Sequence, residues 1–296
     1  MKNVGITSTI RGLLTHKPWD KSLDNTGWTS IKETNESGPF SYCIPLKFFL
    51  PIFEHYKKVI LNQKQELVIL LASSRNNCIM GTDDTSTYKM ELSDLQWRVP
   101  HLKIDAYQKL NLLKIIENDR PLEIAYRAWE NYEFPTLPET TKITWTLKTT
   151  SALETPRYVI VAFQTGKKNK VKANASLFDG CNLSELKVYL NDRAFPYLNL
   201  RGEKSTMYEL YARFRASYMQ ESDSFPLMSR SEFDSNPIYV IDTSHQELSV
   251  KSSTIDLRIE MESKSSFPKD TTAYCIVIND IVATYQPLTG IVTRKQ

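Results

Sequence analysis

The sequence predicts a protein built mainly from β-strands, with a few helices, in which antiparallel strands stack into sandwiches. After residue 121, strand-like segments follow one another at fairly regular spacing, and a single helical pattern interrupts them. The chain also holds 11% aromatic residues and only 9 Gly, which suits large side chains that fill the space between sheets. Eight strands with one inserted helix favour a jelly roll, which is a sandwich of eight antiparallel strands.

The eight strands are predicted at residues 122–129, 142–149, 157–164, 186–190, 238–242, 254–262, 273–278 and 282–286. In the second strand, Ile143, Trp145 and Leu147 alternate with polar residues, so one face of that strand is apolar. Residues 254–262 alternate in the same way, whereas residues 158–163 form a continuous apolar run.

The inserted helix is predicted over residues 206–219. Its apolar residues recur at spacings of three or four and form a stripe, which consists of Met207, Leu210, Tyr211, Phe214 and Tyr218. We favour core packing over a partner-binding groove as the role of this stripe. Arg213 and Arg215 lie off the stripe and are candidates to face a neighbouring subunit.

The front of the chain has a different pattern. Residues 15–42 are polar and rich in turn residues, which indicates a long surface excursion. Two prolines limit the segment CIPLKFFLPIFEHY to short helical turns. Residues 66–72 form a continuous apolar run that suits a strand buried on both faces. Two further short strands are predicted at residues 88–92 and 95–99.

A helix is predicted over residues 106–118, and it divides the chain into two modules. The carboxylate of Asp105 can accept a hydrogen bond from a free amide of the first helical turn. Tyr107, Leu110 and Leu113 form an apolar stripe along the helix. Pro121 prevents the helix from continuing.

Cysteine and histidine spacing gives no support for a metal site. The four cysteines, Cys43, Cys78, Cys181 and Cys275, show no CxxC spacing, which argues against zinc and indicates reduced thiols. The four histidines lie far apart, without the pattern of a cupin iron or manganese site; they are His16, His55, His101 and His245. We therefore predict no metal and no cofactor.

Two short polar motifs contain residue types that occur in catalytic sites. Residues 179–182 (DGCN) contain a cysteine, but nothing near it in sequence supplies the base that a cysteine nucleophile needs. Residues 242–245 (DTSH) resemble a catalytic triad in composition only. We favour a turn for both motifs. The chain also lacks a phosphate-binding loop and a nucleophile elbow, so we predict no catalytic residue, no small-molecule substrate and no enzyme activity.

The densest basic run lies at residues 166–172. It holds four lysines, which are Lys167, Lys168, Lys170 and Lys172. A weak contact with nucleic acid is one hypothesis for them, and a solvated loop between two strands is the other. We favour the loop, because no aromatic residues interleave to stack on bases. The net charge of only +3 does not require a phosphate-binding surface either.

The sequence predicts neither secretion nor a membrane anchor. No apolar run approaches the roughly 20 residues that span a bilayer, and the N-terminus lacks the apolar core of a secretory signal. Three glycosylation sequons, at Asn35, Asn174 and Asn182, are therefore expected to be coincidental.

A series of short segments forms a specific order, although each segment alone is a weak signal. The segments are KNVGITSTIRG, CIPLKFF, LQWRVPH, ITWTLKT, RYVIVAFQTG, FDGCNL, LYARFRASY, IYVIDTS and STIDLRIEME. The series resembles the double jelly-roll major capsid protein lineage of double-stranded DNA viruses. It is most similar to the short forms in polinton- and adintovirus-like elements and to their copies in animal genomes.

The resemblance implies a double jelly roll, which is two antiparallel β-sandwiches in tandem. It implies a partial first jelly roll at residues 1–104, a connecting helix at residues 105–120 and a complete second jelly roll at residues 121–296, with the inserted helix at about 206–219. In this family three chains form a trimer with a pseudo-hexagonal outline that tiles an icosahedral shell.

The front of the chain departs from the family pattern. Family members carry further strands ahead of the part that resembles KNVGITST, and this sequence supplies only four or five strand candidates before Asp105. We therefore expect an incomplete, N-terminally truncated first roll. Missing strands would leave open sheet edges and an uncovered apolar face, and would impair assembly.

The resemblance implies a structural, capsid-type protein, virus-derived or an endogenous viral element, that acts by self-association into a homotrimer. Sheet cores around Trp145, Phe163, Leu257 and Ile259 would do this work, and no residue would be catalytic. The expected location is the virion if the protein is viral, and the cytoplasm or nucleus otherwise. The alternative is a domesticated host jelly roll that binds a protein or a glycan without enzyme activity.

Overall fold

The computed structural model describes residues 3–27, 39–72, 78–81, 90–147, 156–197, 199–222, 224–246 and 255–294. Its helices are α1 (Val4–Thr15), α2 (Ile52–His55), α3 (Ala106–Glu117), α4 (Lys204–Met219) and α5 (Arg230–Ser235). Its strands are β1 (Leu122–Phe134), β2 (Lys142–Leu147), β3 (Pro156–Thr165), β4 (Leu183–Leu190), β5 (Arg193–Phe195), β6 (Tyr239–Asp242), β7 (Leu257–Ser263), β8 (Thr271–Tyr285) and β9 (Val292–Arg294).

The strands form two antiparallel sheets. The first sheet has the order β1-β8-β3-β6, with β9 beside the end of β8, and the second has the order β2-β7-β4-β5. The first strand therefore pairs with the eighth, the second with the seventh, the third with the sixth and the fourth with the fifth. This is a long antiparallel ribbon wrapped into a sandwich, which is the topology of a jelly roll. The predicted fold class, mainly β with few helices, is confirmed.

The two central strands of the first sheet are buried on both faces. Residues 158–163 of β3 are at most 2% exposed. Tyr158 packs on Phe214 of α4, with ring centroids 4.9 Å apart, while Phe163 points to the opposite face and packs on Phe267 at 5.6 Å. Burial on both faces explains why this strand has a continuous apolar sequence rather than an alternating one.

The second sheet is buried on one face only. In β7, Leu257 and Ile259 are 0% exposed and Met261 is 2% exposed, while the charged residues between them are only partly covered. Ile259 lies opposite Val188 of β4 and Trp145 of β2. The alternating sequence of β7 thus follows from one apolar face and one wet face, and each buried Leu or Ile contributes about 1.5–3 kcal/mol.

Several predicted strands differ from the observed ones in length or number. The strand predicted at residues 122–129 continues to Phe134, and those predicted at 273–278 and 282–286 are one strand, β8. The sequence predicted two strands instead of one because Asn279 and Asp280 are polar. Asp280 is nevertheless part of β8, where it forms ion pairs with Arg127 and Arg157. The short elements β5, β9 and α5 were not predicted. Residues 148–149 and 254 lie outside the described residues.

Helix α1 was not predicted and is well buried. Ile10, Leu13 and Leu14 are at most 2% exposed. The helix has no side-chain cap at its start and contains β-branched residues and a glycine, so its local sequence favours helix only weakly. Packing against α4 decides its conformation, which is a tertiary effect that local patterning does not detect.

Two strands predicted in the front of the chain are wrong. Residues 66–72 and 95–99 form no strand, and of the residues predicted at 88–92 only 90–92 are described, again without a strand. No strand occurs in the described residues before Asp105, so these apolar segments have no described strand as a ladder partner. The short helical turns predicted near Pro45 and Pro51 are present, at Leu46–Phe48 and in α2.

The predicted helix after Asp105 is confirmed as α3. The Asp105 carboxylate accepts a hydrogen bond of 2.7 Å from the Gln108 amide. Its apolar stripe is open to solvent, however, with Tyr107 74% and Leu110 59% exposed. The division into residues 1–104, 105–120 and 121–296 stays a prediction, and all described strands lie in the last of these ranges.

Candidate functional site

Hydrogen bonds from helix α4 hold helix α1 against the sandwich. The Tyr211 hydroxyl donates a hydrogen bond of 2.8 Å to the carbonyl oxygen of Leu13, and Arg215 Nε donates one of 3.1 Å to the carbonyl oxygen of Thr15. These carbonyls belong to the last turn of α1, which has no helical donors for them. The guanidinium of Arg215 also pairs with Glu221 at 3.1 Å.

Arg215 was predicted to face a neighbouring subunit, and this is wrong. Its side chain is only 4% exposed and lies inside the junction of α1 and α4. Arg213 is 76% exposed and pairs with Glu209 one helical turn away. The stripe of α4 is core, as predicted, since Met207, Phe214 and their neighbours pack on the first sheet.

A second polar cluster joins α1, α2 and β1. The carboxylate of Glu54 accepts hydrogen bonds from Arg11 and from the Tyr218 hydroxyl, the latter at 3.0 Å. The Tyr218 oxygen in turn accepts a bond of 3.1 Å from Trp129 Nε1. Burial, followed by the charge of Glu54, raises the pKa of Tyr218 above its ordinary value. The phenol therefore stays protonated and acts as a structural donor.

Residues 179–182 form a tight turn. The Leu183 amide donates a 3.0 Å hydrogen bond to the Gly180 carbonyl, and the two residues between them, Cys181 and Asn182, have φ of 47° and 50°. This is the pattern of a type I′ turn, and the positive φ values lie on these residues rather than on the glycine. Burial raises the pKa of the Cys181 thiol to about 11, which keeps it protonated at neutral pH.

Residues 242–245 form the expected turn at the end of β6. The Ser244 amide donates a 2.8 Å hydrogen bond to the Asp242 carboxylate, and the Thr243 hydroxyl donates one of 2.7 Å to the Pro156 carbonyl. His245 is exposed. Within the described ranges no group of three or more His, Cys, Asp or Glu side chains is placed to hold a metal ion.

The basic loop between β3 and β4 is partly neutralised by carboxylates. Lys167 Nζ lies 2.9 Å from Asp179 and also donates a 3.0 Å hydrogen bond to the Leu177 carbonyl. Lys168 pairs with Glu133 of β1. Two of the four lysines thus bind the loop to the sandwich through ion pairs. A contact of Lys167, Lys168, Lys170 and Lys172 with nucleic acid stays a prediction.

Large apolar side chains are exposed over residues 59–72 and 90–113, which we name the exposed apolar region. Leu70 is 88% exposed, Leu102 is 73% exposed and Leu95 is 65% exposed. The other members are Val59, Val68, Ile69, Leu71, Leu92, Trp97, Val99, Ile104, Tyr107, Leu110 and Leu113. Apolar patches that exceed a few hundred Å² mark interaction surfaces on soluble proteins. From the sequence, residues 66–72, 88–92 and 95–99 were predicted as strands and residues 106–118 as a helix, and the exposure of their apolar side chains was not predicted.

No helix in the part of the chain that the structure describes is long and apolar enough to cross a membrane.

Comparison with known proteins gives one family match and distant structural similarity. A family model described as a double jelly roll-like domain matches residues 1–283. No curated protein matches the chain. A chain of the Sputnik virophage, from its 3.5 Å cryo-EM structure, is 10% identical, with a TM-score of 0.37 over 59% of this chain and 39% of that one. The mavirus major capsid protein is 9% identical, with a TM-score of 0.33 over 59% of this chain and 41% of that one. The matched part thus spans about two fifths of those proteins.

Proposed function

Because the chain belongs to the double jelly roll-like domain family, we propose that it is a structural protein of capsid type that acts by self-association into a homotrimer. The observation that carries the proposal is the exposed apolar region beside a closed sandwich. When an interface fully buries an exposed leucine such as Leu70 or Leu102, the burial stabilises the complex by about 1.5–3 kcal/mol. The exposed apolar region holds enough such side chains to stabilise a protein–protein interface.

The resemblance suggests the trimer, and a head-to-tail contact is compatible with it. A patch that meets a different patch on the next copy makes such a contact, and these contacts close into a ring when the rotation between copies permits it. The sandwich supplies the rigid frame, since β3 and β8 are buried on both faces. The exposed apolar region lies outside that frame and is free to contact a neighbour. In a viral element, such trimers would form the capsid shell.

The structural role needs no catalytic group. Cys181 is part of a turn, and the high pKa of its thiol disfavours the thiolate that a nucleophile requires. The Tyr218 hydroxyl accepts a hydrogen bond from Trp129 and donates one to Glu54, and so connects elements of the fold. We assign these residues to stability and propose no substrate.

Two matched leucine variants test the proposal in the purified full-length chain. Light scattering on a size-exclusion column is expected to give three times the chain mass of 34.2 kDa, and negative-stain images a hexagonal outline. Leu102→Lys, inside the exposed apolar region, is expected to weaken the trimer about ten-fold, whereas Leu288→Lys, 55% exposed outside it, leaves the trimer unchanged. A wild-type chain that is monomeric at every concentration contradicts the proposal.

A further inference from the structure

Strand β1 is a long sheet edge. It has 13 residues and pairs with β8 on one side, and no described strand pairs with its other side. The other edge strands of the two sheets are short: β2 has 6 residues, β6 has 4 and β5 has 3. Short edge strands resist unwanted pairing, and long ones present a row of unpaired backbone groups. Of the described edges, β1 is therefore the one best suited to accept another strand.

A slot runs along this edge. A cavity of about 450 Å³ is lined by Tyr126 and residues 128–132 of β1, by residues 50–52 and by Ile281. Neighbouring residues of a strand point to opposite faces of the sheet. Residues from both faces of β1 line this cavity, so the cavity follows the edge of the sheet rather than one of its faces. A second cavity, of about 570 Å³, continues past Glu133 to residues 145–147 at the end of β2. We call these two cavities the edge slot.

Asn131 places an unsatisfied acceptor in the edge slot. The residue is 4% exposed and lines both cavities. Its amide nitrogen donates a 2.9 Å hydrogen bond to Thr7, but its Oδ1 accepts none from the described residues. A buried acceptor without a donor costs about 1–3 kcal/mol. An incoming N–H group would supply the missing donor.

The chain also carries a segment with the properties of the missing strand. Residues 66–72 (ELVILLA) have no regular secondary structure, and Val68, Ile69, Leu70 and Leu71 are all more than half exposed. Seven residues match the length of the slot beside residues 126–132. An antiparallel arrangement with residue 66 opposite 132 places Leu70 opposite Ala128 and residue 72 opposite Tyr126.

We propose that the edge slot of one copy accepts residues 66–72 of a second copy as an added antiparallel strand. Main-chain hydrogen bonds to β1 supply affinity, and the apolar wall at residues 50–52 receives alternate side chains. The contact is head-to-tail, and such contacts close into a ring when the rotation between copies permits it. Three copies in the ring would correspond to the proposed homotrimer. The inference rests on the proposed self-association and names the surfaces that make it.

The segment of the same chain is a poorer occupant of the edge slot. Its residues 65–67 line a separate cavity, of about 190 Å³, with Phe53 and Trp97. Ile52 lines both that cavity and the edge slot, so α2 stands between the segment and its own slot. Residues 70–72 lie instead beside the start of α1. A second copy approaches the slot without this obstruction.

Disulfide cross-linking between separately purified chains tests the pairing. In a Cys43→Ser, Cys78→Ser background, which removes the exposed thiols, one chain carries Leu70→Cys and a differently tagged chain carries Ala128→Cys. Mixed and oxidised, they are expected to form a disulfide that joins the two tags. The matched control replaces Ala128→Cys with Thr144→Cys on β2 and is expected to give no such product. Equal yields from both mixtures overturn the proposal.

A strand-blocking variant separates this inference from the proposed function. Leu70→Lys changes a residue that is 88% exposed and is expected to raise the dissociation constant of the trimer about ten-fold, while Leu288→Lys leaves it unchanged. If wild type is trimeric and Leu70→Lys is equally so, the proposed function stands and the edge-slot pairing is wrong. If wild type is monomeric, both are wrong. A disulfide that forms only within a chain carrying both cysteines also overturns the proposal, in favour of the chain's own segment.

Discussion

Buried polar side chains hold the N-terminal helix in place. The Tyr211 hydroxyl donates to the Leu13 carbonyl and accepts a 3.1 Å hydrogen bond from the Met228 amide, so one atom joins three segments of chain. Burial raises the pKa of this phenol above its ordinary value and keeps the proton in place. A buried polar group without partners would cost free energy, so these bonds specify where α1 lies.

His16, just after α1, makes the stability of the fold depend on pH. Burial, followed by the charge of Arg11, lowers its pKa from 6.5 to about 4; Lys47 acts in the same direction, and Asp20 and Glu54 oppose it. The folded chain therefore binds fewer protons than the unfolded chain between these values. Stability is fully present above pH 6.5 and is lost as the pH falls towards 4.

The change His16→Gln is expected to flatten this pH dependence, since glutamine does not titrate. Urea unfolding at several pH values between 7 and about 4.5 measures it. His245→Gln, at an exposed position, serves as the control and is expected to keep the wild-type slope. An unchanged slope in His16→Gln would show that other groups govern acid sensitivity.

At the scale of elements, α1 and α4 form a helical layer over the first sheet. Arg215 of α4 is buried and bonds to the last turn of α1, whereas Arg213 on the same helix is exposed. Removing a buried charged donor leaves its acceptors unpaired, at a cost of about 2 kcal/mol or more. Exposed ion pairs contribute less, about 0–1 kcal/mol.

We therefore expect Arg215→Ala to lower the free energy of unfolding by about 2 kcal/mol or more and to loosen α1. Arg213→Ala, its matched control two residues away, is expected to change stability by less than about 0.5 kcal/mol. Denaturant unfolding measures both values. Similar small effects in the two variants would mean that α1 is not anchored as the structure indicates.

Strands that alternate or run apolar were predictable, and the front of the chain was not. The alternating sequence of β7 matches one buried and one exposed face, and the continuous apolar sequence of β3 matches burial on both faces. Both strands could therefore be predicted from the sequence. Helix α1 depends on α4, about 200 residues away in the chain (Tyr211 to Leu13 is a separation of 198), which local patterning does not detect. Residues 66–72 have a strand-like sequence but pair with no strand among the described residues, so their sequence alone led to a wrong prediction.

At the scale of the whole molecule, a closed sandwich stands beside an uncovered apolar region. The resemblance to the double jelly-roll lineage is confirmed by the family match over residues 1–283. Which residues are exposed became visible only in the structure, because sequence patterning assumed that apolar runs are buried. The edge slot depends on sheet order. β1 is an edge because β8 pairs with one of its sides and no described strand pairs with the other.

The most direct test of this account is amide hydrogen exchange at low and high protein concentration. Residues 59–72 are expected to exchange quickly in the dilute chain and to become protected as the chain self-associates, together with the edge of β1. The centres of β3 and β8, buried in the sandwich, are expected to exchange slowly at both concentrations. Exchange of residues 59–72 that stays fast while the chain forms trimers would contradict the account.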